Sequence, residues 1–171
     1  MIEKKLLVPT ASGWSLYAHP TFLDQLEKLT AQVEALAQKD PDHFRQKNST
    51  KRLAAIEDLI SGIIPADPTR VEYRQGDTLG DDHKHWFRAK FFQQYRLFFR
   101  YTEQHKIIVF GWVNDDKTKR AYDSKTDAYR VFAKMLANGQ PPDDWDTVLS
   151  EAQGASERWA TVLEVASKSN S

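Results

Sequence analysis

The sequence predicts an α+β domain: a small twisted antiparallel sheet with two N-terminal helices packed on one face, and additional helices toward the C-terminus. Three observations predict it. Apolar residues recur at three- and four-residue steps from residue 22; aromatic and β-branched runs separated by short polar breaks fill residues 86 to 113; and helical spacing returns after residue 127.

Along the chain, Gly13-Trp14-Ser15-Leu16-Tyr17-Ala18 alternates weakly with period two and reads as a first short strand. From Thr21 to Gln38, Phe22, Leu26, Leu29, Val33 and Leu36 share one helix face. Asp40-Pro41 has the form of a helix start, with a capping carboxylate and a proline that needs no donor. A second helix from there to about Ser61 would bury Phe44, Leu53, Ile56, Leu59 and Ile60. Between Ile64 and His85, Pro65, Pro68, Gly76, Gly80 and several aspartates indicate a long surface loop.

Trp86 to Phe91, Tyr95 to Tyr101 and Lys106 to Val113 then read as three strands of an antiparallel meander. A charged loop from Asp115 to Lys125 leads to a third helix, capped by Thr126 or Asp127, with Tyr129, Phe132, Ala133 and Leu136 on its apolar face. Gly139 and Pro141-Pro142 end it. Trp145, Val148, Leu149, Trp159 and Val162 indicate one or two weak helices that fray into the serine-rich end. The expected division is a main domain of residues 1 to 146 and a C-terminal appendage of 147 to 171.

With 171 residues, 40% of them hydrophobic, the chain can build a single core. It has no cysteine, which excludes disulfides, thiolate zinc sites and cysteine nucleophiles. The apolar stretch Leu6-Leu7-Val8 is far shorter than a signal peptide's apolar region or a membrane span, so a cytoplasmic location is expected. Net charge is zero but unevenly spread: residues 86 to 130 carry ten lysines and arginines against five acidic residues, and residues 131 to 171 carry three against six. A basic middle can concentrate positive potential on one face and attract phosphates; the plain alternative is an ordinary solvated surface.

Strand alternation decides which cations meet. Arg88 and Lys90 lie two residues apart and project from one face; in the next strand Arg96, Phe98 and Arg100 share a face. In a hairpin, Arg88, Lys90 and Arg96 converge, and because a buried cluster of like charges is expensive, that side is expected to be open to water or to an anion.

The order Arg88-x-Lys90, Tyr95-Arg96-Leu97-Phe98-Phe99, a hydrophobic strand, then Arg120-x-Tyr122 resembles the RelE-like ribonuclease toxins. The resemblance is closer to the YhaV subgroup: Gly13-Trp14-x-Leu16-Tyr17-Ala18-His19-Pro20, Tyr95 through Tyr101, Gly111-Trp112-x-Asn114-Asp115, Lys125-Thr126-Asp127-Ala128-Tyr129, Val131-Phe132-x-Lys134-Met135-Leu136 and Pro141-Pro142-x-Asp144-Trp145 all look like it. These runs cover about residues 13 to 146.

The resemblance implies the toxin of a type II toxin–antitoxin system, an endoribonuclease that needs no metal or other cofactor and that inhibits translation and growth by cleaving mRNA, with or without the ribosome. It also implies a partner antitoxin of the PrlF type, an AbrB-like protein. In such enzymes the RNA's 2′-hydroxyl attacks the adjacent phosphate, and the protein removes that proton, neutralises the phosphorane and protonates the leaving oxygen. Carried over residue by residue, Arg88 and Lys90 match the basic pair, Arg96 the strand arginine, Arg120 the arginine after the last strand, and Tyr122 the tyrosine, with Tyr129 a second candidate for stacking on a base. Lys90 is the preferred general base, since neighbouring arginines disfavour another positive charge, and Tyr122 is the alternative. Arg100, Lys117, Lys119, Lys125, Tyr129 and His85 are expected to contact RNA.

Other groupings carry less. Asp81-Asp82-His83-Lys84-His85 has the chemistry of a zinc or manganese site, but its spacing fits no standard ligand pattern and Lys84 adds repulsion, so it reads as a loop touching RNA. His83 or His85 can join proton transfer. Asp143, Asp144 and Asp146 precede a helix and read as caps, and Trp86 and Trp112 as core. Two rivals use the same residues: a noncatalytic RNA-binding protein and a protein-interaction domain.

Overall fold

The computed structural model describes residues 8–169. Leu6 and Leu7 lie outside that range, as do the last two residues of the serine-rich end. β1 (Thr10–Ala11) and β2 (Trp14–Ala18) form a small hairpin, and α1 (Pro20–Lys39) follows at once. The His19 ring accepts the amide of Thr21 and Pro20 occupies the first turn, so the helix start is capped. α1 buries Phe22, Leu23, Leu26, Leu29 and Val33.

The helix start expected at Asp40-Pro41 does not form. Asp40 instead closes α1, donating its amide to Leu36, and the chain reverses through a 3-10 turn at Phe44–Gln46. Reversal is what lets Phe44 reach the core, where its carbonyl accepts the Thr50 hydroxyl at 2.7 Å. α2 (Asn48–Asp58) runs on through a π turn at Leu59–Ile63 into the short α3 (Ile64–Ala66), past the end expected near Ser61.

β3 (Phe87–Phe91), β4 (Tyr95–Thr102) and β5 (Ile107–Val113) form the expected antiparallel meander. Phe92 and Gln93 take positive φ of 47° and 64° to make the tight β3–β4 turn without a glycine. The sheet order is β1-β2-β5-β4-β3, and β2 pairs with β5 in parallel. The sheet is therefore mixed rather than wholly antiparallel, because α1 to α3 and the β3–β4 hairpin separate β2 from β5 and bring the chain back in the same direction.

One sheet face, with Leu97, Phe99, Ile108 and Phe110, packs on α1 and α2. The opposite face carries Phe98, Val109 and Trp112, and α4 (Ala128–Ala137) and α5 (Trp145–Gly154) cover it with Tyr129, Phe132, Leu136, Val148 and Ala152. The expectation that this side is open to water is thus corrected. Phe98 and Phe132 stack at 4.2 Å and Trp112 lies parallel to Phe132 at 5.8 Å; burying each such ring is worth about 1.5–3 kcal/mol, which outweighs leaving the face wet.

α5 begins at Trp145, so it runs across the 146/147 boundary. α6 (Ser156–Ser169) returns to α1: Trp159, Val162 and Ala166 are buried in the first core, the Trp159 indole donates to the Leu16 carbonyl, and Arg158 pairs with Asp24 and Glu27.

Candidate active site

The register places Lys90 opposite Arg96 and Arg88 opposite Phe98, so Arg88, Lys90 and Arg96 share one face, as alternation requires. Their surroundings differ. Arg88 and Arg96 are only 8% and 7% exposed, whereas Lys90 is exposed. The two buried guanidiniums meet at Tyr129, the second residue of α4: Arg88 Nε donates to its phenol oxygen at 2.8 Å and Arg96 Nε at 3.0 Å. Backbone carbonyls complete their settings, Glu72 for Arg88 and Gln93 and Tyr95 for Arg96. Each guanidinium has its Nε and Nη1 bonded to a phenol or carbonyl oxygen, which offsets part of the cost of burying its charge.

Arg120 joins from the loop after β5. Its guanidinium lies between two rings, 3.9 Å from the Tyr122 centroid and 4.8 Å from that of Tyr129, and it pairs with the carboxylate of Asp127. Asp127 also caps α4 by accepting the Tyr129 amide, and it takes the amide of Ala121. Burial opposes its charge, but the Arg120 bond and the Ala121 amide outweigh this and hold the carboxyl below its ordinary value. Tyr122 itself is 83% exposed. Asn114, buried at the end of β5, ties the loop down: its side chain accepts the Arg96 amide and donates to the carbonyls of Gln94 and Thr118.

Two cavities open on either side of this cluster. A groove of about 720 Å³ along the β3 edge is lined by Arg70, Arg74, Arg88 and Lys90, with Asp58 and Glu72. A smaller one of about 190 Å³ is lined by Thr78, Arg120, Tyr122, Asp127, Tyr129 and Arg130. The Arg88–Tyr129 hydrogen bond joins them.

The remaining expected contacts are dispersed. Arg100 is half-buried between the rings of Trp86 and Trp145 and donates to the Asp143 carbonyl; burial pushes its guanidinium below its ordinary value. Lys117 lines a different cavity, beside Gln25, Lys28 and Arg52. Lys125 is exposed and Lys119 half-buried on the same loop as Arg120. His85 meets His83 and Trp86 at the carboxylate of Asp143. Of the expected caps, Asp144 does cap α5, and Asp143 does not. Arg70, Arg74 and the Asp127–Arg120 pair escape a sequence reading: the arginines sit in an irregular loop, and a capping aspartate gives no sign of a second partner.

A mixed five-stranded sheet covered by helices, with arginines gathered around a helix tyrosine, is consistent with the α+β fold of RelE-like toxins. Residues 16–153 match the YhaV toxin family, described as toxins with endonuclease activity of toxin–antitoxin systems, and the chain belongs to that family. It is 46% identical over 144 residues to the ribonuclease toxin YhaV of Escherichia coli strain K12, covering 83% of this chain and 94% of that protein. The same identity and coverage hold for the toxin YhaV of Escherichia coli O6:H1 (strain CFT073). No solved structure matches.

Proposed function

We propose that this toxin cleaves RNA, mRNA in particular, without a metal, and that the cluster around Tyr129 is where it does so. The observation that carries the reading is the meeting of Arg88, Arg96 and Arg120 at one phenol, between two cavities and next to the exposed Lys90 and Tyr122. Arg88 lines the groove along β3 and Arg120 the smaller cavity, so these two can meet a phosphate whose charge grows in the transition state, while Arg96, buried beside them, adds positive potential to the site. Lys90 is the general base toward the 2′-hydroxyl, with Tyr122 the alternative, and Arg120 assists the leaving oxygen.

Arg74, Lys119 and Lys125 extend the positive surface for the RNA strand, and Arg100, Lys117 and His85, which lie apart from the cluster, are further RNA contacts. Tyr122, the exposed ring, stacks on a base, while Tyr129 organises the arginines. All these residues precede position 146, so the ribonuclease site is assigned to residues 1 to 146; of residues 147 to 171, those of α5 help cover the sheet and those of α6 pack on α1. The protein acts in the cytoplasm, and a PrlF-type antitoxin restrains it; among the described residues no helix is long and apolar enough to cross a membrane.

The test is cleavage of RNA by the purified toxin in EDTA, with and without ribosomes. Expected products carry a 2′,3′-cyclic phosphate or 3′-phosphate and a 5′-hydroxyl. Products with a 5′-phosphate would mean attack by water and overturn the mechanism.

A further inference from the structure

We propose that His83, His85 and Asp143 form a binding site for a zinc(II) ion, separate from the arginine cluster and from catalysis. His83 and His85 come from the segment leading into β3 and Asp143 from the segment before α5, and one ligand atom from each lies within 4.8 Å of the others. Atoms bound to zinc at ~2.1 Å in a tetrahedron sit ~3.4 Å apart, so small shifts suffice. Two imidazoles and one carboxylate, with water in the fourth position, suit zinc better than magnesium or calcium.

The hydrogen bonding at the site itself points to a cation. Three donors converge on one oxygen of Asp143: His83 Nδ1 at 3.1 Å, His85 Nε2 at 2.8 Å and Trp86 Nε1 at 2.9 Å. A carboxylate oxygen offers about two lone-pair directions, so it is over-subscribed. A zinc ion relieves this. Each imidazole moves its proton to its other ring nitrogen and presents a lone pair to the metal, and the Trp86 indole stays on the carboxylate and fixes its orientation.

The backbone is already fixed on both sides: Gln75 donates to the His83 carbonyl and Arg100 to the Asp143 carbonyl. The repulsion expected from Lys84 is absent from the site, because its ammonium is paired with Asp77 and Asp81. His83, His85 and Asp143 are each partly exposed, so an ion can enter. Binding would clasp the loop before β3 to the start of α5.

The experiment is calorimetric titration of EDTA-stripped full-length protein with zinc chloride, following tryptophan fluorescence in parallel. One zinc per chain is expected, with a change in Trp86 emission and a rise in Tm of roughly 5 °C at saturating zinc. His85→Gln and Asp143→Asn should each weaken binding by at least about tenfold, and His43→Gln should leave it unchanged. Should those two variants fail to fold, zinc must protect His83 and His85 of the wild type from diethyl pyrocarbonate. Absence of saturable one-to-one binding, equal affinity in the variants, or no protection would overturn the site. RNA cleavage in EDTA tests the ribonuclease reading independently.

Discussion

Arg88 and Tyr129 join the edge strand to the helix that covers it: the Arg88 Nε donates to the Tyr129 phenol oxygen at 2.8 Å, with both side chains buried. Arg96 repeats the bond from the next strand. One phenol thus sets the position of two cations that would otherwise repel, and it does so from the first turn of α4, whose cap is Asp127. The sheet, the helix start and the loop carrying Arg120 are one mechanical unit, so substitutions in any of them should change stability and activity together.

Tyr129→Phe is the sharpest test of that unit. It keeps the ring that stacks under Arg120 and contacts Phe98 but removes the acceptor for two buried guanidiniums. Hydrogen bonds to charged groups are worth about 1.5–3 kcal/mol, so a loss of about 2 kcal/mol is expected in urea unfolding, with cleavage down at least about tenfold. Wild-type stability in the variant would show that the phenol does not organise the arginines.

Arg120→Ala should abolish growth arrest and also lower stability, because the buried Asp127 carboxylate loses its partner, although the protein still folds. Asp127→Asn retains a capping residue but loses the ion pair. Because the Asp127 carboxyl is held below its ordinary value, its contribution to stability is present above the unfolded carboxylate pKa of about 3.9 and is lost as pH falls through the lower folded value. The stability gap between wild type and Asp127→Asn should therefore be open at pH 7 and close below about pH 4 in urea titrations. A gap independent of pH would mean that charge is not what Asp127 contributes.

How much of this was legible follows from the kind of signal each feature leaves. Periodicity placed α1, the β3–β5 meander and α4 because each buries one repeating face, and alternation put Arg88, Lys90 and Arg96 together. Asp40-Pro41 misled because a capping aspartate looks the same where it ends one helix as where it starts another; tertiary demand for Phe44 in the core decided. The covering of the basic face was hidden since alternation assigns residues to a face without saying what packs there, although Phe98 and Trp112 on that face were the clue. The parallel β2–β5 pairing and the meeting of His83 and His85 with Asp143 depend on long-range contacts that local pattern does not encode.

Gly111 marks where the sheet's two faces come into tension. It lies at the register shift between Phe98 and Phe99, and a Cβ there would come within 2.5 Å of the buried Trp86 ring. Gly111→Ala must push that ring or the strand, costing about 1–3 kcal/mol in unfolding experiments. An unchanged midpoint would mean that Trp86 has room to move.

His19 should give the fold a pH dependence of its own. Its ring is fully buried at the start of α1, bonded to Thr21 and to the Glu151 carboxylate; burial lowers its pKa against the opposing pull of Glu151. The unfolded state then takes up a proton before the folded state does. Stability is retained above the unfolded value of about 6.5 and falls as pH drops from there toward the lower folded value. His19→Asn, which keeps a capping side chain, should flatten the urea midpoint between pH 7 and 5. A wild-type midpoint constant over that range would contradict the shift.

Inhibition by the antitoxin should follow the exposed cations rather than the buried ones. Arg88 and Arg96 are held under α4, so an acidic segment of the antitoxin that covers the site directly must meet Lys90 and Arg74, which are exposed on the groove along β3. Such an encounter is steered by charge and screened by salt. Lys90→Glu with Arg74→Glu should slow association at least about threefold at low ionic strength and flatten its salt dependence, at little cost to folding because both side chains are on the surface. The other route displaces α4 and breaks the Tyr129 bonds to Arg88 and Arg96. It predicts an on-rate indifferent to both substitutions, together with increased amide exchange across Ala128–Ala137 in the complex. Stopped-flow association of the double variant at several salt concentrations separates the two: an unchanged on-rate at every concentration would rule out direct cover of the groove.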